Sequence, residues 1–150
     1  MTEPITWVAL ETIQVFLQRI RTVDGYYTDA GASVTLEPFQ IDADTDENAS
    51  LRVVEDDTDA FEDGRDVRTG EINLLVECYI PVTDDDAQKK AHRIRADVVK
   101  AIPTRTRDLP QNIHTVAITG RRIFQRPNGF PFVVAQVGIR IGLIETASPT

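Results

Sequence analysis

The sequence has little of the chemistry that most enzymes use at neutral pH. Its 150 residues include one cysteine, Cys78, and two histidines, His92 and His114. One cysteine excludes a disulfide within these residues, and no Cys or His cluster has the spacing of a zinc site. Because Cys78 stands among alternating apolar residues, we expect it to be a small buried side chain and not a reactive thiol.

Long hydrophobic runs are also missing. No apolar run approaches the roughly 20 residues that span a bilayer, and the first residues lack the basic segment and apolar core of a secretory signal. We therefore expect a protein of the cytosol, or of a particle assembled there, with no membrane partner. The 41% hydrophobic and 27% charged residues are typical of a single globular domain of this length.

Positive charge is scarce and unevenly placed. Sixteen Lys and Arg stand against 24 Asp and Glu, for a net charge of -8. This deficit argues against a protein that grips nucleic acid by its phosphates, which requires a clustered basic face. Acids crowd residues 42–66 and 84–86, whereas four arginines belong to the C-terminal segments. Such asymmetry fits either a surface that meets an oppositely charged protein or a solvated acidic loop.

Recognised catalytic and metal-binding motifs are absent too. There is no Gly-rich phosphate loop and no Gly-x-Ser-x-Gly elbow. Asp42, Asp44 and Asp46 have the spacing of the first ligands of a calcium loop, but Glu47 replaces its glycine and Val53 its last glutamate, so we expect no metal site. Carboxylates could still build a metal-dependent hydrolase. Since they fall in predicted loops or a helix start, we favour a binding or assembly module with no cofactor and no catalytic residue.

Three segments alternate apolar and polar residues as half-buried strands do. These are Arg68 to Val82, Asn112 to Gln125 and Phe132 to Ile144. The middle segment alternates loosely, so its buried side stays open. Pro127, Asn128 and Gly129 suit the second, third and fourth positions of a type I turn, which predicts that the last two segments form a long hairpin.

Two further segments have helical period. The first runs from about Ile5 to Arg21, with Thr2 or Thr6 as its cap and Asp24-Gly25 marking its end. The second is capped by Thr83, with acids in its first turn, and is stopped by Pro103. The predicted fold is α+β: a twisted, mostly antiparallel sheet with a long C-terminal hairpin, packed against the two amphipathic helices.

Shorter strands and an acidic segment lie between the first helix and the long strands. Ala32 to Leu36 is predicted as an edge strand limited by Pro38, and Leu51 to Glu55 as a second short strand. Residues 40–68 are expected to be flexible, and acidic loops of this sort are commonly interaction segments that order on binding. In a ring, the acidic part of this segment could meet the next subunit's hairpin arginines. The candidate interface residues are Asp56, Asp57, Asp59, Glu62, Asp63, Arg121, Arg122 and Arg126.

The order of these parts resembles the tail terminator proteins of long-tailed bacteriophages, also called minor tail proteins of the U type. The resemblance covers about residues 5 to 145. It is carried by three stretches: Thr69-Gly-Glu-Ile-Asn-Leu-Leu-Val-Glu, the helix Lys89 to Ile102, and Arg122-Ile-Phe through Ile141. Family members are small α+β subunits that form a hexameric ring on the tail tube. The ring stops tube polymerisation and presents the surface to which the head connector docks. Residues 40–68 match no fixed feature of the family.

The resemblance implies a structural role in the virion, with the tail tube protein and the head-tail connector protein as partners. Six copies would carry a net charge of -48, six times -8, so DNA could slide through an acidic lumen without specific binding. The alternatives are another neck or tail component, either a head-tail joining protein or a tube subunit, and, less favoured, a metal-dependent hydrolase that uses the acidic loops.

Overall fold

The computed structural model describes residues 3–37, 49–58, 62–63, 67–82, 86–103, 109–124, 127 and 129–146. The helices are α1 (Ile5–Leu17) and α2 (Ala87–Ala101). The strands are β1 (Val34–Thr35), β2 (Ser50–Thr58), β3 (Glu62–Asp63), β4 (Val67–Pro81), β5 (Ile113–Ile123) and β6 (Phe132–Thr146). They form one sheet in the order β1-β2-β4-β6-β5, with β3 also paired to β4. Among the strand pairs of the described residues, only that of β1 with β2 is parallel. The predicted α+β fold is confirmed.

The centre of the sheet is the antiparallel pair of β4 and β6. Their register runs without a shift from Val67 opposite Thr146 to Pro81 opposite Phe132. The predicted apolar face of β4 is buried, as is the matching face of β6. Those core side chains are Ile72, Leu74, Val76, Cys78, Ile80, Val133, Ala135, Val137, Ile139, Ile141 and Leu143. The alternation of apolar and polar residues therefore correctly predicted both strands and the side of each strand that faces the helices.

Both helices cover this one face. α1 packs chiefly on β2, with further contacts to β1 and β6, and α2 packs on β4, β5 and β6. The predicted apolar stripes of the two helices are buried, from Ala9 to Ile20 on the first and from Ala87 to Ile102 on the second. The helical period thus identified the residues that close the core.

The predicted ends of α1 need correction. The helix stops at Leu17 and not near Arg21. The next turn is tighter, with the Arg19 N–H donating to the Phe16 carbonyl and the Ile20 N–H to the Leu17 carbonyl, and Gly31 packs so closely here that a Cβ would lie 2.7 Å from the Leu17 oxygen. Pro4 holds the N-cap position and provides no side-chain cap, while Thr6 lies inside the helix. Gly25, at φ 90°, ends the 3-10 turn Thr22–Asp24 that follows.

The start of α2 was also predicted too early. The helix begins at Ala87 with Asp86 in the N-cap position, so Thr83 is not its cap. Asp86 makes no side-chain capping bond; its backbone carbonyl accepts the Lys90 N–H at 2.9 Å. Residues 83–85 lie outside the described residues. The helix ends at Ala101, two residues before Pro103, as expected from proline's missing N–H and steric restriction.

β5 pairs with β6 through two shifts of register, one between Ile113 and Thr115 and one between Ile118 and Gly120. Each shift is a bulge that inserts an extra residue and so changes which side chains face the core. Ile113 and Val116 are buried although they are three residues apart. The loose alternation of this segment has a structural cause.

The connection between β5 and β6 differs from the predicted turn. The Phe130 N–H donates to the Pro127 carbonyl at 3.0 Å, so the turn starts at Pro127, one residue later than expected. Gly129 therefore occupies the third position, with φ 80°, a value that favours glycine. Gln125, Arg126 and Asn128 lie outside the described residues.

Candidate functional site

The acidic candidate residues lie along the outer side of β4. β2 continues through Asp56 and Asp57 to Thr58, and β3 places Glu62 opposite Thr69 and Asp63 opposite Arg68. The expectation of a loop is wrong for residues 56–58 and 62–63, which lie in strands. Asp56 and Asp57 fall at a shift of register between Glu55 and Thr58, after which Thr58 pairs with Ile72. Asp59 lies outside the described residues, as do the potential calcium ligands Asp42, Asp44 and Asp46. The Asp56 side chain is exposed.

The hairpin arginines are not gathered on one surface. Arg121 lies opposite Val137, on the helix side of the sheet, and Arg122 lies opposite Gln136, on the other side. The Arg122 guanidinium stands 5.4 Å from the centroid of the Phe124 ring, a cation–π contact. Arg126 lies outside the described residues. Neighbouring strand residues point to opposite faces, so one flat partner surface cannot receive both described arginines.

The acidic and arginine candidates are also far apart within the subunit. β2 and β5 are separated by β4 and β6, which makes three strand spacings, or about 14 Å. Across that distance, the described side chains Asp56, Arg121 and Arg122 form no contact with one another inside one copy. Any pairing of Asp56 with Arg121 or Arg122 would have to join two copies.

Asp97 is a buried carboxylate that sequence reasoning missed. Its side chain is 1% exposed and lies beside the apolar stripe of α2. One oxygen accepts the Tyr27 N–H at 3.0 Å; the other accepts the Thr28 N–H at 2.9 Å and the Thr28 hydroxyl at 2.7 Å. These bonds satisfy the carboxylate where water is excluded. They tie the chain after α1 to the flank of α2.

Two cation–π contacts lie near the hydrogen bonds that Asp97 accepts from Tyr27 and Thr28. The Arg93 guanidinium lies 5.8 Å from the centroid of the Tyr27 ring, and the Lys100 ammonium lies 4.7 Å from that of Tyr26. The Lys100 ammonium also donates to the Gly25 carbonyl at 3.0 Å. We call Lys89, Arg93 and Lys100, with Tyr26 and Tyr27, the α2 ridge. Its three cations are exposed.

The sheet face away from the helices carries charges that are paired within the subunit. Arg52 Nε lies 3.5 Å from Glu77 Oε1, and Arg140 Nε lies 3.7 Å from Glu71 Oε2. Arg52 Nε is buried and makes no hydrogen bond, so its contact with Glu77 is one of charge and not of hydrogen-bond geometry. These arginines are therefore less available to a partner than the exposed cations of the α2 ridge.

The two histidines and the cysteine are not grouped in one site. His92 is exposed beside Arg95, with 3.3 Å between Nδ1 and Nη2, and His114 is exposed on β5. Cys78 is buried as expected, and burial raises the pKa of its thiol far above the usual range. Among the described residues, no three His, Cys, Asp or Glu are grouped so that they could hold a metal ion.

In the part of the chain that the structure describes, no helix has the length and apolar character required to cross a bilayer. No protein-family model matches the chain, and no curated protein matches its sequence.

Proposed function

We propose that this protein is a tail terminator of a long-tailed bacteriophage. In this role the chain assembles as a hexameric ring on the end of the tail tube, ends tube polymerisation and offers the surface for head attachment. The tube protein and the head-tail connector protein are its partners, and DNA passes through the ring without specific binding. The proposal is supported by the layout of the sequence and by the α+β architecture expected from that resemblance.

One observation carries the assembly part of this proposal: exposed side chains of opposite charge lie on different elements of a single subunit. Asp56 is exposed on β2, while the exposed cations Lys89, Arg93 and Lys100 lie on α2, which packs on β4, β5 and β6. No carboxylate of the described residues lies within ion-pair distance, 4.0 Å, of Lys89, Arg93 or Lys100. A subunit with two different complementary surfaces makes head-to-tail contacts, which close into a ring when the rotation between copies permits.

Electron microscopy of tails assembled without this protein tests the role. Overlong tubes are the expected result, because nothing then stops polymerisation. Tails of normal length that fail to join heads would instead indicate a head-tail joining protein, and a complete absence of tubes would indicate a tube subunit. Either of these results would overturn the terminator proposal. Adding back the purified protein serves as the control, and should restore normal tail length.

A further inference from the structure

The 3-10 turn Thr22–Asp24 carries an apolar side chain that is exposed to solvent. Val23, at its centre, is 89% exposed, and Asp24 beside it is exposed as well. The turn lies against the helix layer, because the Lys100 ammonium of α2 donates to the carbonyl of Gly25, which follows the turn, at 3.0 Å. We call Val23 and Asp24 the turn tip.

Hydrogen bonds hold the loop that carries the turn tip. One carboxylate oxygen of Asp29 accepts the Thr22 N–H at 2.8 Å and the Thr22 hydroxyl at 3.0 Å, so it fixes the first residue of the turn. The buried Asp97 accepts the Tyr27 and Thr28 N–H groups, which fixes the rest of the loop on α2. A loop that is ordered before binding loses less conformational entropy when a partner arrives. The turn tip is therefore presented to solvent by an ordered segment.

Aromatic rings form a second apolar surface, on the sheet face away from the helices. Tyr79 points to that face, because its neighbours Cys78 and Ile80 are buried in the core. The Tyr79 ring meets Phe132 edge to face at 6.1 Å between ring centroids, and Phe130 meets Phe132 at 6.0 Å. Phe132 is 5% exposed although it does not belong to the core cluster between the sheet and the helices. The rings around it therefore cover it on this face.

Strand pairing places Phe124 on the same surface. Its N–H donates to the Val134 carbonyl at 2.9 Å, and Val134 lies opposite Tyr79 in the register of β4 and β6. Arg122, two residues before Phe124, points to the same face, and its guanidinium lies 5.4 Å from the centroid of the Phe124 ring. Phe124 and Phe130 are 38% and 39% exposed. We call Phe124, Phe130 and Arg122 the aromatic patch.

We propose that the turn tip of one copy binds the aromatic patch of a second copy of this chain. Val23 supplies an apolar side chain to Phe124 and Phe130, residues of the aromatic kind that anchors interfaces. Asp24 supplies a carboxylate to Arg122, which forms no ion pair with any carboxylate among the described residues. This inference rests on the ring assembly in the proposed function and adds an apolar contact to it.

The two surfaces cannot meet within one copy. The turn tip is held on α2, and both helices cover one face of the sheet, whereas the aromatic patch lies on the other face. The sheet therefore stands between them. A contact between two different surfaces of the same chain is head-to-tail, and it closes into a ring when the rotation between copies permits. A different protein on the aromatic patch would leave the ordered turn tip without a role.

Disulfide trapping in the full chain tests the contact directly. Val23→Cys with Phe124→Cys, in a Cys78→Ala background, places one thiol on each surface. A disulfide requires Cα atoms within about 7 Å, so the two thiols of one copy cannot join across the sheet. With oxidised glutathione we expect covalent dimers and longer oligomers on a non-reducing gel. Val23→Cys with Ala117→Cys is the matched control, since Ala117 is exposed on the same strand outside the patch. A yield of oligomers no higher than that of the control would overturn the proposal.

Sedimentation of two variants shows whether the contact is head-to-tail. Val23→Asp alters the turn tip and Phe124→Ser alters the aromatic patch, and each should associate about tenfold or more weakly than wild type. An equal mixture keeps one intact pair of surfaces, so it should form dimers and nothing longer. Circular dichroism establishes that each variant is folded. Wild type that stays monomeric, a folded variant that associates as wild type does, or a mixture without dimers would each show that the proposal is wrong.

A charge exchange tests the pairing of Asp24 with Arg122. Asp24→Arg alone and Arg122→Asp alone should each weaken association by about two- to fivefold, because exposed ion pairs contribute little. The variant that carries both changes restores opposite charges in the reverse order and should recover association. Arg121→Asp is the control and should have no effect, since Arg121 lies on the helix side of the sheet. No recovery in the double variant would contradict the proposed contact.

Tail length in the absence of the protein remains a separate measurement. Overlong tubes, together with no trapped oligomers, would overturn this contact and leave the terminator role in place. Trapped oligomers, together with tails of normal length, would support the contact and overturn the terminator role. The two failures can therefore be distinguished.

Discussion

β4 and β5 flank the same strand, β6, but pair with it in different ways. β4 follows β6 without a shift of register over its whole length, and its core-facing side chains alternate strictly. β5 changes register twice, and β6 has glycines, Gly138 and Gly142, where the added residues cross over it. β4 is therefore positioned by its own period, and β5 by the shape of its neighbour β6.

The two strands also differ in position within the sheet. β4 has partners on both sides, β2 and β6, while β5 is an edge strand with β6 as its neighbour. A central strand opens only when much of the core opens, whereas an edge strand can separate locally. We therefore expect β4 to report the stability of the whole domain and β5 to report its own local opening.

The largest expected difference is in thiol accessibility. Cys78 on β4 is fully buried and burial raises its pKa, so an alkylating reagent should reach it only through global unfolding. Ala117→Cys in a Cys78→Ala background places a thiol on exposed β5. It should react about a thousandfold or more faster than Cys78 does, given ordinary domain stability. Comparable alkylation rates by mass spectrometry would show that β4 opens as readily as β5.

Core truncations should give the next largest difference. Leu74→Ala truncates a fully buried side chain of β4, the strand that lies between β2 and β6. It should lower the free energy of unfolding by about 3 kcal/mol. Ile118→Ala makes a similar truncation on β5, where the side chain is half-buried, and should lower it by about 1 kcal/mol. Urea denaturation followed by circular dichroism measures both. Equal losses would mean that β5 contributes to the core as much as β4 does.

The parts of the fold that could be predicted are those with one dominant period. The stripes of α1 and α2 and the alternation of β4 and β6 each identified a core face, because burial of apolar side chains outweighs other local preferences. β5 could not be assigned a face, because its bulges at Thr119 and His114 fit against Gly138 and Gly142 of β6, which lie 19 and 28 residues further along the chain. The end of α1 was also predicted incorrectly: the helix ends at Leu17, well before Asp24-Gly25, and the carbonyls at its end pack against Gly31, which is distant in sequence.

The candidate site was less predictable than the fold. Asp97 looks like one more solvent-facing residue of α2, and its burial depends on N–H groups of Tyr27 and Thr28, about 70 residues earlier in the chain. The division of Arg121 and Arg122 between two faces, in contrast, follows from the period of a strand and was available from the sequence. A sequence pattern predicts the alternation of side chains along a strand, but it does not predict hydrogen bonds between residues that are far apart in the chain.

A glycine substitution tests whether the bulges position β5. A Cβ at Gly138 would lie 2.6 Å from the Thr119 hydroxyl oxygen, so Gly138→Ala should lower the free energy of unfolding by about 1 kcal/mol. In a Thr119→Ala background the next atom lies 3.6 Å away, and the same substitution should cost little. Gly120→Ala is the matched control, since its Cβ meets nothing within 4 Å. A cost at Gly138 that persists without the Thr119 hydroxyl would contradict a steric origin.

The smallest expected effect is at the end of the β4–β6 pair, where Tyr79 meets Phe132 edge to face at 6.1 Å between ring centroids. Burial, with a further contribution from the charge of Glu77, raises the pKa of the Tyr79 phenol above its usual value of 10.0. The folded state therefore holds this proton more tightly than the unfolded state does. Stability linked to this proton is fully present below about pH 10 and is lost as the pH rises through the folded-state pKa.

Tyr79→Phe should remove that part of the alkaline loss of stability, measured as urea midpoints from pH 8 to pH 11. Tyr27→Phe removes an exposed phenol outside the sheet and provides the control. If the two variants follow the same alkaline profile, the β4–β6 pair does not protect its tyrosine, and the contrast between a closed central pair and an open edge strand does not extend to this end of the sheet.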